Sequence, residues 1–145
     1  MIPKQFRIHA VLVVACVFMI IFPILNDRPD GEKAEQAIVA ATDFLQLVDA
    51  EKYAESWRGS ALLMKEKVTE QEWVEQLTKA RDIYGAAVER RQDDISYSTT
   101  AKDGPEGEYI TIVFDARYQR AEKFSEYVFV MLEDGRWKVA GYFGK

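Results

Sequence analysis

Hydrophobic periodicity changes once along this chain, at Gly85, and that change limits the possible folds more than any other feature. Before it, apolar residues recur every three or four positions; after it, they alternate every two. Over residues 32–49, Ala34, Ala37, Ile38, Ala41, Leu45 and Val48 form a stripe that Phe44 widens, the pattern of a helix with one face to bury. Tyr53 and Trp57, four apart, predict a shorter helical piece, and residues 60–67, carrying Leu62, Leu63 and Met64, a third. Thr69 and Glu72 have the spacing of a capping box, with Val68 and Trp73 at the positions of a hydrophobic staple. The helix they open runs through Leu77, Ala80 and Tyr84 to Gly85, which is expected as a left-handed cap.

Beyond Gly85, residues 86–91 and 95–100 read as one long strand bent at Gln92-Asp93-Asp94. A loop over residues 102–107 turns the chain. Residues 109–119 then put Ile110, Ile112, Phe114, Ala116 and Tyr118 on one face, with Tyr109, Thr111, Val113, Asp115 and Arg117 on the other. Residues 124–132 form the next strand, and Asp134-Gly135 is a two-residue hairpin turn into the last, over residues 136–143. Helices followed by an antiparallel meander of about four strands imply an α+β domain, with the helices gathered on one face of the sheet.

Ahead of this domain, residues 8–25 are apolar except for His9 and are preceded by Lys4 and Arg7. Eighteen helical residues reach about 27 Å against a hydrocarbon core of about 30 Å, so an uncleaved transmembrane anchor is the favoured reading. A cleaved signal peptide remains open, although Phe22-Pro23-Ile24-Leu25 offers no small residue at the exit. A lipoprotein signal at Val13-Val14-Ala15-Cys16 also remains open, although apolar residues continue past the cysteine. The basic start puts the N-terminus in the cytoplasm and the body on the other side, in the periplasm or outside the cell. Cleavage would instead release a secreted body. The chain divides into an anchor or uncleaved signal at residues 1–25, a linker at 26–33 and one domain at 34–145.

Charge and composition exclude several functions. Setting Lys4 and Arg7 aside from the 19 basic residues leaves 17 against 24 acidic ones, a net −7. Such a body is a poor fit for nucleic acid, which selects a basic face. The only cysteine, Cys16, and the only histidine, His9, both fall in the apolar segment. The body therefore has no disulfide, no thiolate metal site and no imidazole, and neither a metal nor a cofactor is expected.

Asp49-Ala50-Glu51-Lys52-Tyr53-Ala54-Glu55-Ser56-Trp57, then Trp73, Arg81, Gly85 and Arg90, then Gly104-Pro105-Glu106-Gly107-Glu108-Tyr109, and finally Asp134-Gly135-Arg136-Trp137-Lys138-Val139-Ala140-Gly141-Tyr142 carry a resemblance. In order and spacing they resemble the bacterial family called domain of unknown function 4019, from about Glu35 to Tyr142. The resemblance implies a small exported or membrane-attached protein, here at the bacterial inner membrane with a single pass. The order of elements is also similar to the cystatin-like, nuclear-transport-factor-2-like cone, in which a curved sheet wraps a long helix. That superfamily includes isomerases, dehydratases and many non-catalytic binding domains, so the resemblance bears on fold more than on function.

Without imidazole or thiol, acid–base chemistry would fall to a carboxylate, lysine or tyrosine with a shifted pKa. Glu126 shares a strand face with Phe124, Val128, Val130 and Leu132. An acid there is a pocket acid or, in the favoured reading, half of a structural ion pair with Arg81 or Arg90, or exposed near the start of the strand. Of Arg90 and Arg91, which point oppositely, one can turn inward, to buttress an internal acid or to grip a ligand carboxylate. Asp115 reads as a solvated or cross-strand-paired acid, Asp49 as a helix end, and Asp93 and Asp94 as carboxylates that do not converge. The candidate pocket residues are Trp57, Arg81, Tyr84, Arg90, Tyr109, Glu126 and Tyr142, although aromatic residues at such spacings are more often core. Two functions follow. The favoured one is a membrane-tethered, non-catalytic domain that binds a small molecule or a partner protein, with homodimerisation through the sheet left open. Its rival is an isomerase- or hydratase-like enzyme using Glu126 with a tyrosine such as Tyr109 or Tyr142.

Overall fold

The computed structural model describes residues 28–145, so the anchor expected at residues 1–25 and the first two residues of the expected linker lie outside it. Helix α1 (Gly31–Asp49) starts within that linker, because the extended Asp30 accepts a hydrogen bond from Lys33 N at 2.9 Å and caps it. Its stripe buries Ala37, Ala41, Phe44, Leu45 and Val48, as the periodicity predicts. Helices α2 (Tyr53–Arg58) and α3 (Leu62–Lys67) follow. The third helix begins later than the apolar pattern suggests. Ala61 is extended and gives its N–H to Val139 O at 2.8 Å, so the chain runs beside the sheet there.

Helix α4 (Glu70–Tyr84) opens on the predicted capping box. Thr69 accepts from Glu72 N at 3.2 Å and Glu72 accepts from Thr69 N at 3.0 Å, while Val68 and Trp73 are both buried. At its other end Gly85 has φ +79 but an extended ψ of −161, not the left-handed helical value expected. Only glycine adopts that region readily. A side chain there would also collide with Gln119. Arg120 donates to the carbonyls of Ile83 and Asp82 at 3.0 and 2.7 Å, closing the helix end with a positive charge. Arg120 thus has a capping role.

The second half is a four-stranded antiparallel meander in the order β1 (Ala87–Ser98), β2 (Tyr109–Tyr118), β3 (Ala121–Glu133) and β4 (Arg136–Gly144). The predicted bend in β1 is a register shift between Gln92 and Asp94, the signature of a bulge. Asp134 and Gly135 have φ of 51 and 77, the two positive values of a type I′ turn. The core lies between α1 and the face of the sheet bearing Ile110, Ile112, Val128, Val130 and Tyr142. Phe44, Trp73 and Tyr142 meet there with ring centroids 5.7 to 6.3 Å apart. The α+β class is therefore as expected. Among the described residues, no helix is long and apolar enough to cross a membrane.

Candidate binding site

Antiparallel register sets Arg90 on β1 opposite Ala116 on β2, and Phe114 on β2 opposite Glu126 on β3. Alternation turns Arg90 and Glu126 to the helix-covered face. Glu126 has no solvent exposure and Arg90 keeps only 16% of its side chain exposed. A buried carboxylate is tolerated only when it is paired and its lone pairs are filled. Arg90 Nε donates to Glu126 Oε2 at 2.5 Å, and Nη2 reaches Oε1 at 3.3 Å. The Tyr142 hydroxyl donates to Oε1 at 2.6 Å, and the Tyr118 hydroxyl donates to the same oxygen. The outer edge of the guanidinium grips Asp49, at the end of α1, through Nη1 to Oδ2 at 2.7 Å and Nη2 to Oδ1 at 3.1 Å.

Each ionisation state follows from these contacts. Burial alone would lower the Arg90 pKa, but the hydrogen bonds and charges of Asp49 and Glu126 outweigh it and hold it above its ordinary value. Burial, reinforced by the Glu126 charge, pushes the Tyr118 and Tyr142 phenols well up, so both stay protonated donors. The favoured reading of Glu126 as half of an ion pair is what the geometry displays, with Arg90 as the partner and Asp49 as a third member. Both oxygens of Glu126 accept hydrogen bonds from protein groups, and the side chain has no solvent exposure.

In front of this cluster lies a cavity of about 320 Å³, at the small end of ligand pockets, which span roughly 300–1,000 Å³. It opens between α4 and the ends of β2, β3 and β4. Leu77, Ala80, Arg81 and Tyr84 of α4 form one wall, Tyr118, Phe124 and Tyr142 of the sheet form the other, and Asp49 and Tyr53 lie at one side. Phe124 packs edge-on between Tyr84 and Tyr118, with centroids 4.8 and 5.1 Å away. Phe124 also lies over Gly144, where any side chain would strike its ring. Arg81 donates from Nη1 to the Asp49 carbonyl at 3.1 Å, satisfying one of the free carbonyls at the end of α1. It has no carboxylate partner within salt-bridge range among the described residues.

Of the seven candidate residues, Arg81, Tyr84 and Tyr142 line the cavity, and Arg90 and Glu126 stand directly behind it. Trp57 and Tyr109 do not belong to it. The Trp57 indole donates to Val68 O at 2.9 Å, under the Lys65 ammonium. Tyr109 lies on the opposite face of the sheet and donates to Pro105 O at 2.5 Å. The tyrosines on Glu126 are therefore Tyr118 and Tyr142, not Tyr109. Sequence reading missed Tyr118, Phe124 and Asp49 as site residues. The first two could have been found, since Tyr118 shares the inward face of its strand and Phe124 the face of Glu126. Asp115 pairs across strands with Arg91 at 3.0 Å, as expected. Among the described residues, no group of three or more potential ligands could hold a metal ion.

Residues 40–142 match the family described as Protein of unknown function (DUF4019), which covers nearly all of the span over which the sequence resemblance runs. No curated protein matches the chain.

Proposed function

We propose, for a chain that belongs to the family Protein of unknown function (DUF4019), that the domain is a non-catalytic binding module that holds a small molecule in the cavity beside α4. The observation that carries this reading is the division of labour behind and within the cavity. The Arg90 guanidinium and the Glu126 carboxylate bond to other protein groups and do not line the cavity, so this pair is scaffold. The cavity in front combines apolar and aromatic walls with a few polar groups, the usual make-up of a ligand site. The rival isomerase- or hydratase-like reading needs Glu126 to take a proton from substrate. The guanidinium on one of its oxygens and the two phenols on the other oppose that role.

The N-terminal apolar segment supports a tethered domain at a bacterial inner membrane, with its body outside the cytoplasm. The order of four helices before a four-stranded meander is consistent with a cystatin-like cone. The binding test is a cavity-filling substitution. Calorimetric titration of full-length chain with a panel of small amphiphiles should give saturable binding, and Ala80→Trp should abolish it while circular dichroism stays unchanged. Equal binding by a folded Ala80→Trp chain would refute the site.

A further inference from the structure

We infer that the ligand is an amphipathic monoanion, a carboxylate on a small apolar body, with its carboxylate on Arg81. This inference rests on the binding reading above and specifies the ligand for the same cavity. The size follows from the volume. At about 320 Å³ the cavity suits a small ligand, at the lower end of the usual range. The apolar body follows from Leu77, Tyr84, Phe124 and Tyr142, whose rings and branches make the walls.

The anionic head follows from the contrast among arginines. Arg58, Arg90, Arg91 and Arg117 each meet a carboxylate, of Glu70, Asp49 with Glu126, Asp115 and Glu89. Arg120 spends its donors on the carbonyls at the end of α4. Arg81 lines the cavity, donates to the Asp49 carbonyl and has a side-chain hydrogen bond with the Tyr53 hydroxyl, so only part of the guanidinium's set of donors is taken up, and none by a carboxylate. A planar donor fork of this kind suits a carboxylate. Tyr84, whose phenol burial keeps protonated, offers a neutral donor on the same wall. The other acids and bases at the cavity set the charge limit. Arg90 offsets one of the two charges of Asp49 and Glu126, and Glu72, Glu75 and Lys79 of α4 also line the cavity. Two rim carboxylates disfavour a dianion such as a phosphate monoester, and Arg81 disfavours a cation.

The experiment titrates full-length chain with octanoate, octanol and octylammonium, and repeats the series with Arg81→Gln and Arg81→Lys. The expected result is octanoate bound at least about ten-fold more tightly than octanol, the worth of one charge-assisted hydrogen bond. Octylammonium should be weakest. Arg81→Gln should bring octanoate down to the octanol level, and Arg81→Lys should keep part of the preference. Octanol binding as tightly as octanoate, or octylammonium binding best, overturns the anion assignment and leaves the cavity a binding site. A preference for octanoate that survives in a folded Arg81→Gln chain overturns the role of Arg81. If all three probes fail on a folded chain, the binding reading itself falls.

Discussion

Arg81 lines the cavity and Arg90 stands behind it, and their surroundings differ in almost every respect. Arg90 comes from the middle of a strand, is mostly buried and divides its donors between two carboxylates and a phenol oxygen. Arg81 comes from the last turn of α4, is partly exposed and bonds to one main-chain carbonyl and the Tyr53 hydroxyl, with no carboxylate. The difference teaches how to read a charged side chain near a pocket. Burial with full pairing marks an element of the scaffold, since freeing any member would strand a charge out of water. Partial exposure with spare donors marks a group that can meet a ligand. The most conspicuous acid in the sequence, Glu126, therefore belongs to the first class, and the less conspicuous Arg81 to the second.

The largest effect that can break this comparison is on stability. Arg90→Met leaves Glu126 buried and uncompensated, and should cost about 3–5 kcal/mol in urea unfolding. Arg81→Gln should cost about 1 kcal/mol, the net worth of one hydrogen bond, because its loss strands no buried charge. If the two variants lose equal stability, the distinction fails.

A second effect is on pH dependence. The Tyr118 and Tyr142 phenols have folded pKa values raised above the ordinary 10.0, by burial first and by Glu126 next. A raised folded pKa means that the folded state keeps its protons longer. The stability they contribute is therefore complete below pH 10.0 and is lost as pH rises beyond it. Urea midpoints should accordingly fall above that pH, and Tyr142→Phe should flatten the fall. An unchanged slope in that variant would remove the phenol from the cluster.

Away from the site, Thr69→Ala should cost about 1 kcal/mol through loss of the cap of α4, with ligand affinity unchanged. A large loss of affinity in that variant would mean that the wall formed by α4 is not rigid, and would sharpen the comparison in the opposite direction.

How much of this was legible beforehand depended on how far apart the partners lie. The capping box at Thr69 and Glu72, the turn at Asp134-Gly135 and the bulge near Asp93 depend on chemistry within a few residues, and each could be read directly. The Arg90–Glu126 pair was readable as one of two options, because alternation puts Glu126 on an apolar strand face and lets one of Arg90 and Arg91 turn inward. Asp49 was not, because its bond to Arg90 joins the end of a helix to a strand 41 residues on, and only tertiary packing brings them together. Tyr109 was misplaced for a related reason. A period of two says which residues share a face, but not which face the helices cover. Trp57 was misplaced because its spacing with Tyr53 is shared by core and pocket residues alike. The cavity itself arises from the gap between α4 and the strand ends, which no local pattern encodes.

The most direct measurement for the claim that function resides in this cavity is amide chemical-shift mapping of the full-length chain with octanoate. The account predicts saturable shifts centred on Leu77, Arg81, Tyr84, Phe124 and Gly144, with Trp57 and Tyr109 unmoved. Shifts centred on the opposite face of the sheet around Tyr109, or none in the cavity at saturating octanoate, would contradict it.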